Sequence, residues 1–312
     1  SQDTFHATSY DVMAMAIITL QALAGMWINA FIVSVLCIAW VKKKSFNSNE
    51  KILLFLGCNR FLYLCIIWVY HFLVLFYPWW FHVHPIPELH AATQNFLNFS
   101  DLWVSACLSG FYCIKIANFR HIFFIYLKVK IDRIVPCLML TSVLLSLVIG
   151  ILAYNITEEV HCNNHSSTTL GNYWEITVRM DEYVLPIFFI TGFGFATAFM
   201  AVISSALLLL FSLWRHKHKM QTQSVKNISV DAHIKAMKSI LSFLLIYSIN
   251  FVCLVLTLIY VTKTQNSVIF PILIIHYAIP SVHSLILIFS NPKLEKILLR
   301  TLSCVKCKVC MR

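Results

Sequence analysis

The stretch VMAMAIITLQALAGMWINAFIVSVLCIAWV, residues 12–41, is followed directly by Lys42, Lys43 and Lys44. A run of this length without a charged side chain is longer than the roughly 20 apolar residues with which a helix crosses a bilayer. The lysines place the end of the run in the cytoplasm, because cytoplasmic loops carry an excess of lysine and arginine. The stretch therefore predicts a first transmembrane helix that begins on the outer side and ends on the inner side.

Further apolar runs follow along the chain, and the basic residues fall in alternate gaps between them. The runs lie at 12–41, 51–77, 92–117, 134–154, 183–214, 236–261 and 267–290. The gaps 41–51, 115–133 and 215–238 are rich in lysine and arginine, whereas the other gaps hold only Arg179 and Lys263. This pattern predicts an all-α bundle of seven transmembrane helices with short loops.

The same pattern divides the chain, which is expected to form a single membrane domain over residues 1–312. Residues 1–11 are predicted to be an extracellular amino terminus, residues 12–290 the helix bundle and residues 291–312 a cytoplasmic tail. In the tail, Pro292–Arg300 has apolar residues at helical spacing with basic neighbours. That spacing predicts a short amphipathic helix on the inner leaflet.

Composition and motifs exclude several functional classes. Hydrophobic residues make up 59% of the chain and charged residues 12%, which is typical of a membrane protein. The net charge of +11 lies in the cytoplasmic segments, so it indicates topology and contact with anionic membrane lipids rather than nucleic-acid binding. The sequence has no catalytic, phosphate-binding or metal-binding motif, so neither an enzyme nor a cofactor is expected. A transporter would usually show internal repeats and several charges within the spans.

Cysteines and glycosylation patterns give further expectations. Only Cys162 of the eleven cysteines falls in a segment assigned to the outside, so no extracellular disulfide is expected. The segment after the fourth run carries glycosylation acceptor patterns at Asn155 and Asn164. Thiols in the basic tail favour S-palmitoylation over zinc, which would need a fourth ligand. These thiols belong to Cys304, Cys307 and Cys310.

Arg60 is a basic residue deep inside the second predicted span. A guanidinium is too costly to expose to lipid, so it is expected to face the bundle interior and to bond with Asn29, Ser281 or Ser284. The position of Arg60 fits two roles: a static clamp between helices, or part of a network that rearranges on activation. Asp101, assigned to the outer end of the third span, is expected to face water or the loops.

Two further side chains in the spans have alternative interpretations. His283 in the seventh span is expected to be a hydrogen-bonded interior residue rather than a metal ligand, because no second ligand lies at helical spacing. Trp103 in the third span suits either the wall of a ligand pocket or the aromatic belt at the membrane interface. The residues alone leave that choice open.

Six motifs follow one another along the chain with a defined spacing. They are Gly25-x-x-x-Asn29-x-Phe31-Ile32, Leu56-Gly-Cys-Asn59-Arg60, Phe111-Tyr112-x-x-Lys115-Ile116-Ala117-x-Phe119, Ser212-Leu213-x-x-His216-x-x-x-Met220-Gln221, His233-Ile-Lys-Ala236-Met-Lys238, and Pro280-Ser281-Val-His283-Ser284 with Asn291-Pro-Lys293-Leu294. Together they resemble the bitter taste receptors, the type 2 taste receptor branch of the G-protein-coupled receptors. The chain departs from that family's pattern at Gly57 and Asn59, which replace Ala and Ser, and at Arg120, where Ser is usual.

The resemblance implies a plasma-membrane receptor that detects bitter, mostly amphipathic small molecules. It also implies coupling to a heterotrimeric G protein of the gustducin-like or inhibitory class, with phospholipase C and calcium release downstream. A vomeronasal pheromone receptor of the first type is the nearest alternative, and the motifs of helices 3 and 7 argue against it. The sequence leaves open which bitter compounds act and whether the chain forms an oligomer.

The resemblance also assigns residues to a ligand pocket and to a G-protein cleft. Trp103 matches the helix 3 tryptophan that lines the family's pocket, and Cys107 stands where many members have Asn. Weaker candidates for the same cavity are Trp68, His71, Phe251 and His276. The cleft is expected to open when helices 5 and 6 swing outward. Its expected residues are Phe111, Tyr112, Lys115, Arg215, His216, Lys219 and Lys238.

Overall fold

The computed structural model describes residues 9–77, 79, 83–117, 121–165, 184–220, 228–261 and 266–310. Over these residues the chain forms eight α-helices and no strand, so the all-α prediction is confirmed. The helices are α1 Ser9–Lys43, α2 Ser48–Phe76, α3 Ile86–Ile116, α4 Ile122–His165, α5 Val184–Met220, α6 Ile228–Val261, α7 Asn266–Ser290 and α8 Pro292–Cys310.

Five of these helices contain a segment long and apolar enough to cross a membrane, within the described residues. The segments are Met15–Lys43, Ser48–Leu73, Ile122–Glu159, Gly192–Ser212 and Pro271–Ser290. The helix α6 holds a shorter apolar stretch, Ile240–Cys253. The helix α3 is more polar, because much of its surface faces other helices. A helical membrane bundle is therefore confirmed, while the count of seven crossings stays a prediction.

The outer surface of the bundle is apolar, as a lipid-facing surface requires. Trp27 on α1 is 79% exposed and Phe193 on α5 is 72% exposed. The most completely buried side chains include Phe99 of α3, Phe195 of α5 and Phe243 of α6. The rings of Phe99 and Phe195 meet edge to face, with 5.7 Å between their centroids. The hydrophobic core therefore lies around α3, between its neighbours α2, α4, α5 and α6.

Several helices extend beyond the boundaries predicted from hydropathy, and α3 and α4 are the two that matter for the site. The fourth span was expected at 134–154, but α4 begins at Ile122 and continues to His165. Bilayer thickness determines the apolar length of a span, but a helix ends only where a capping or helix-breaking residue stops it. The helix α3 begins at Ile86, directly after Pro85. Because of this earlier start, Asp101 and Trp103 lie near the middle of α3 and not at its outer end.

A short turn, predicted to be cytoplasmic, joins α1 to α2. Lys44 adopts a left-handed conformation with φ of 54°, and its N–H donates to the carbonyl oxygen of Trp40 at 2.6 Å. This is the usual geometry of a residue that closes a helix, although glycine occupies it more often. At the start of α2, Glu50 accepts a hydrogen bond from the backbone N–H of Asn47 at 3.1 Å. The turn therefore sets α1 and α2 side by side.

Candidate functional site

Arg60 lies midway along α2 and is 1% exposed. Its Nε donates to Asp101 Oδ1 at 2.6 Å, and its Nη2 donates to Asp101 Oδ2 at 3.3 Å. The expectation that Asp101 faces water or the loops is therefore wrong. The physical reason is that a buried guanidinium needs a counter-charge, and the early start of α3 brings Asp101 to the same depth as Arg60.

Side chains of α3 and α7 complete the surroundings of Arg60. Nη2 also lies 3.1 Å from Ser105 Oγ and 2.7 Å from His283 Nδ1, and Nη1 donates to Ser284 Oγ at 3.0 Å. A guanidinium only donates, so His283 Nδ1 accepts and its ring proton sits on Nε2. His283 is 2% exposed, in agreement with the interior position expected for it. Arg60, Asp101, Ser105, His283 and Ser284 are called the Arg60 network below.

The helix α1 joins the Arg60 network through Asn29. Ser284 Oγ lies 2.7 Å from Asn29 Oδ1, with the carbonyl oxygen of Pro280 as its alternative acceptor at 2.9 Å. Asn29 Nδ2 in turn donates to the backbone oxygen of Gly25 at 2.8 Å. Of the three predicted partners of Arg60, Ser284 bonds directly and Asn29 only through Ser284. Ser281 Oγ is buried without a hydrogen-bond partner among the described residues.

Ring contacts connect the Arg60 network to α6. The His283 ring lies edge to face against Phe243 at 4.5 Å and against Tyr247 at 5.9 Å, measured between centroids. Both aromatic residues belong to the buried core. The network therefore bonds α1, α2, α3 and α7, and its His283 ring packs against α6.

The predicted ligand residues of α3 lie toward the centre and toward α4. Trp103 is partly buried and packs against the main hydrophobic core. Cys107 Sγ lies 3.7 Å from Ser142 Oγ of α4. Cys107 therefore faces the α3–α4 interface in this conformation.

Three other predicted ligand residues lie between α1, α2 and α7. Trp68 Nε1 donates to Thr19 Oγ1 of α1 at 3.2 Å. The rings of His71 and His276 both lie beside Tyr277, at 5.3 Å and 5.8 Å between centroids. His71 Nε2 is buried without a hydrogen-bond partner in the part of the chain that the structure describes. These side chains form an aromatic region with an unsatisfied polar atom.

The remaining ligand candidate, Phe251 of α6, stacks on Phe199 of α5 at 6.1 Å with an interplanar angle of 14°. Five of the six candidates thus fall at three interfaces, α3 with α4, α1 with α2 and α7, and α5 with α6, while Trp103 packs against the main core. Sequence reasoning did not assign Asp101 and Ser105 to a site. Their spacing of four residues on one face of α3, opposite a buried arginine, was the signal that could have identified them.

Near the carboxyl-terminal end of α3, which is predicted to be cytoplasmic, the cleft residues contact α2, α4 and the core. Tyr112 donates its hydroxyl to Asn49 Oδ1 of α2 at 3.1 Å. Lys115 Nζ pairs with Asp132 Oδ2 of α4 at 2.6 Å and lies 5.6 Å above the Phe111 ring. Phe111 itself belongs to the main core. The polar contacts of Tyr112 and Lys115 are with α2 and α4, while the Tyr112 ring also packs against an apolar cluster shared with α5 and α6.

A separate buried cluster lies where the carboxyl-terminal halves of α3 and α5 meet the amino-terminal half of α6. It consists of Cys113, Ala117, Ala206, Leu209 and Ile240. Small and aliphatic side chains make this junction apolar, and sequence reasoning did not single them out. Nearby on the surface are the exposed residues Arg215 of α5 and Lys238 of α6. The helix α5 also carries His216 and Lys219, whose side chains lie outside the described part.

The amphipathic tail helix predicted over Pro292–Arg300 is longer than expected, because α8 continues to Cys310. Lys293 Nζ pairs with Glu50 Oε1 of α2 at 2.8 Å, and Leu294 is fully buried. Leu299 and Leu302 are exposed, as an interfacial helix requires. The cysteines proposed for acylation lie on α8, and their side chains are outside the described part. They are Cys304, Cys307 and Cys310.

The glycosylation candidates also lie on a helix and not in a loop. Asn155 is an exposed residue of α4, within the apolar span Ile122–Glu159. Asn164 belongs to the last turn of α4, and its side chain is outside the described part. The position of Asn164 beyond the span keeps it the better acceptor candidate.

Comparison with known proteins adds the family context of this geometry. A family model described as taste receptor protein (TAS2R) matches residues 7–306. Taste receptor type 2 member 9 of Papio hamadryas is 33% identical over 294 residues, which cover 90% of each chain. Taste receptor type 2 member 41 of Rattus norvegicus is 31% identical, with coverage of 92% and 94%. Taste receptor type 2 member 40 of Gallus gallus is 29% identical, with coverage of 96% and 98%.

Proposed function

Because the chain belongs to the taste receptor type 2 family and is therefore a bitter taste receptor of the membrane, we propose a specific signalling route for it. Bitter small molecules bind among the outer halves of the helices, and the receptor activates a heterotrimeric G protein of the gustducin-like or inhibitory class. Phospholipase C and calcium release follow. The receptor lies in the plasma membrane with its amino terminus outside and its tail in the cytoplasm.

The Arg60 network is the observation that supports this route most directly. It joins four helices at mid-depth and touches a fifth, α6, through His283. A ligand shifts a conformational equilibrium only if it binds one conformation more tightly than the other. A buried network with discrete hydrogen-bond partners offers such alternative arrangements, whereas a uniform apolar core does not. Agonist binding above the network would therefore change how His283 packs on α6.

The agonist site is proposed to include Trp103 and the aromatic region at α1, α2 and α7. Trp68, His71 and His276 supply large apolar surfaces there, and His71 Nε2 is an unsatisfied buried atom. Ligand sites in proteins combine such apolar walls with a few polar groups. Cys107 and Phe251 would join this site only after α3 and α6 move.

The G protein is proposed to bind at the inner ends of α3, α5 and α6. The apolar cluster around Cys113 and Ile240 has no charged member, so separating these five side chains breaks no ion pair among them. An apolar groove with basic residues at its rim accepts an amphipathic helix. Arg215, His216, Lys219 and Lys238 would form that rim. Lys115, Tyr112 and Phe111 would contribute only if their present contacts with α4, α2 and the core open.

A calcium-mobilisation assay tests the proposed function. Cells expressing the receptor and a chimeric gustducin-like α subunit are exposed to a library of bitter compounds, and surface expression is measured by an amino-terminal tag. We expect at least one compound to raise calcium only in receptor-expressing cells. Silence across the library in cells with confirmed surface receptor would contradict the proposal. An amino-terminal tag accessible only after permeabilisation would contradict the proposed orientation.

A further inference from the structure

The carboxylate of Asp101 is only partly covered, although its partner Arg60 is fully buried. The Asp101 side chain is 20% exposed, against 1% for Arg60. Each carboxylate oxygen accepts one hydrogen bond from Arg60 and retains further lone pairs. The helix α3 is enclosed by neighbouring helices, and Asp101 faces α2, so this open edge lies inside the bundle and not toward lipid.

We propose that the open edge of Asp101 binds agonists and selects neutral hydrogen-bond donors, such as phenols, alcohols and amides, over protonated amines. This inference rests on the proposed receptor function and names the ligand class of its pocket. Asp101 would then be a specificity-determining residue as well as the counter-charge of Arg60.

Charge balance gives the reason for this selectivity. The Arg60 network is electrically neutral as a whole, because one guanidinium offsets one carboxylate and His283 accepts from Arg60 at Nδ1. A protonated amine at Asp101 would be attracted by the carboxylate but repelled by the adjacent guanidinium, and it would lose its water shell. A neutral hydroxyl adds no charge and still forms a charge-assisted hydrogen bond.

The surroundings supply the apolar wall that an anchored ligand needs. One turn outward along α3, Leu97 belongs to a buried cluster with Tyr63, Ile67 and Tyr277. Leu273 of α7 is partly buried against the same cluster. These side chains pack against one another in this structure, so an aromatic ligand whose hydroxyl reaches Asp101 would separate them and place its body between them. One polar anchor beneath an apolar wall is the usual composition of a small-molecule site.

Three probes on one aromatic frame test the proposal with the purified full-length receptor in detergent. They are 2-naphthol, which donates a hydrogen bond, 2-methoxynaphthalene, which does not, and 2-naphthylmethylamine, which is protonated. Binding is measured as the concentration dependence of the thermal unfolding temperature. We expect 2-naphthol to bind roughly tenfold to a hundredfold more tightly than each of the others, the loss expected for a hydrogen bond to a charged group.

The double variant Arg60→Met/Asp101→Leu removes the carboxylate without leaving a buried charge alone, so it preserves folding better than either single change. We expect it to bind 2-naphthol and 2-methoxynaphthalene equally. The matched control is Asp132→Asn, which removes a carboxylate at the cytoplasmic end of α4 and should keep the wild-type preference.

Each other result overturns the proposal. It fails if wild type binds the ether as tightly as the phenol, if it binds the amine more tightly, or if it binds none of the probes at concentrations up to about 1 mM. It also fails if the preference persists in the double variant. These measurements need no G protein, so selective binding without any calcium response would contradict only the proposed signalling function.

Discussion

Removal of either member of the Arg60–Asp101 pair should destabilise the receptor severely. In Asp101→Leu, the guanidinium of Arg60 remains 1% exposed and keeps only neutral partners, namely Ser105, His283 and Ser284. Breaking a buried ion pair in this way costs about 3–5 kcal/mol. At an unfolding entropy of about 2.1 cal/mol/K per residue, a change of 1 kcal/mol shifts the unfolding temperature of a chain this long by about 1.5 °C. We therefore expect a decrease of roughly 5–8 °C for Asp101→Leu.

The assay is a double-mutant cycle on purified receptor, with Asp101→Leu, Arg60→Met and the combined variant. Each single change should be costly, while the combined change should recover most of the loss, because two apolar side chains need no counter-charge. A coupling free energy of several kcal/mol is therefore expected, far above the roughly 0.5 kcal/mol within which independent sites add. If the two single effects simply add in the combined variant, Arg60 and Asp101 do not act as a pair.

Further predictions concern packing, the pocket, glycosylation and the first turn. Gly25→Ala should lower the unfolding temperature, because a Cβ there would collide with Ser281 Oγ and come within 2.5 Å of Leu64 Cδ1. The control is Gly192→Ala, because a Cβ added at Gly192 has no other atom within 4 Å. Trp103→Ala should shift most agonist responses to higher concentration in the calcium assay, and unchanged potency would remove it from the pocket. Asn164→Gln should increase gel mobility if the residue carries a glycan. Lys44→Gly should stabilise the receptor by up to about 1 kcal/mol in thermal unfolding, because glycine adopts positive φ without strain.

The hydropathy and charge patterns predicted the fold class because the lipid bilayer imposes both patterns on the sequence. A bilayer requires long apolar helices, and lysine-rich segments such as 42–44 fix which side each end faces. The same reasoning placed the ends of α4 incorrectly. Hydropathy reports where a chain is apolar, whereas a helix continues into water as long as no residue stops it. The extension of α4 over 122–133 and 155–165 therefore could not be obtained from the apolar run.

The candidate site was predicted less completely than the fold, because side-chain partners depend on how each helix is rotated about its axis. Each residue advances a helix by about 100°, so a small rotation decides which neighbour a side chain meets. Cys107 illustrates this dependence: its place in the motif suggested the pocket, but its thiol lies beside Ser142 of α4. Asp101 is the opposite case. It is 41 residues from Arg60 in the sequence, and its direct contact with Arg60 was not predicted.

The strengths of the contacts around Arg60 indicate which helix separates first. The ion pair with Asp101 joins α2 to α3, and breaking it costs about 3–5 kcal/mol. The His283 ring of the network packs on Phe243 and Tyr247 of α6. Aromatic pairs contribute only about 0.5–1.5 kcal/mol beyond their burial, and the cluster with Ile240 is apolar. On the proposed signalling route, an agonist would therefore shift α6 while α2, α3 and α7 stay bonded, and the G-protein cleft would open between α3 and the α5–α6 pair.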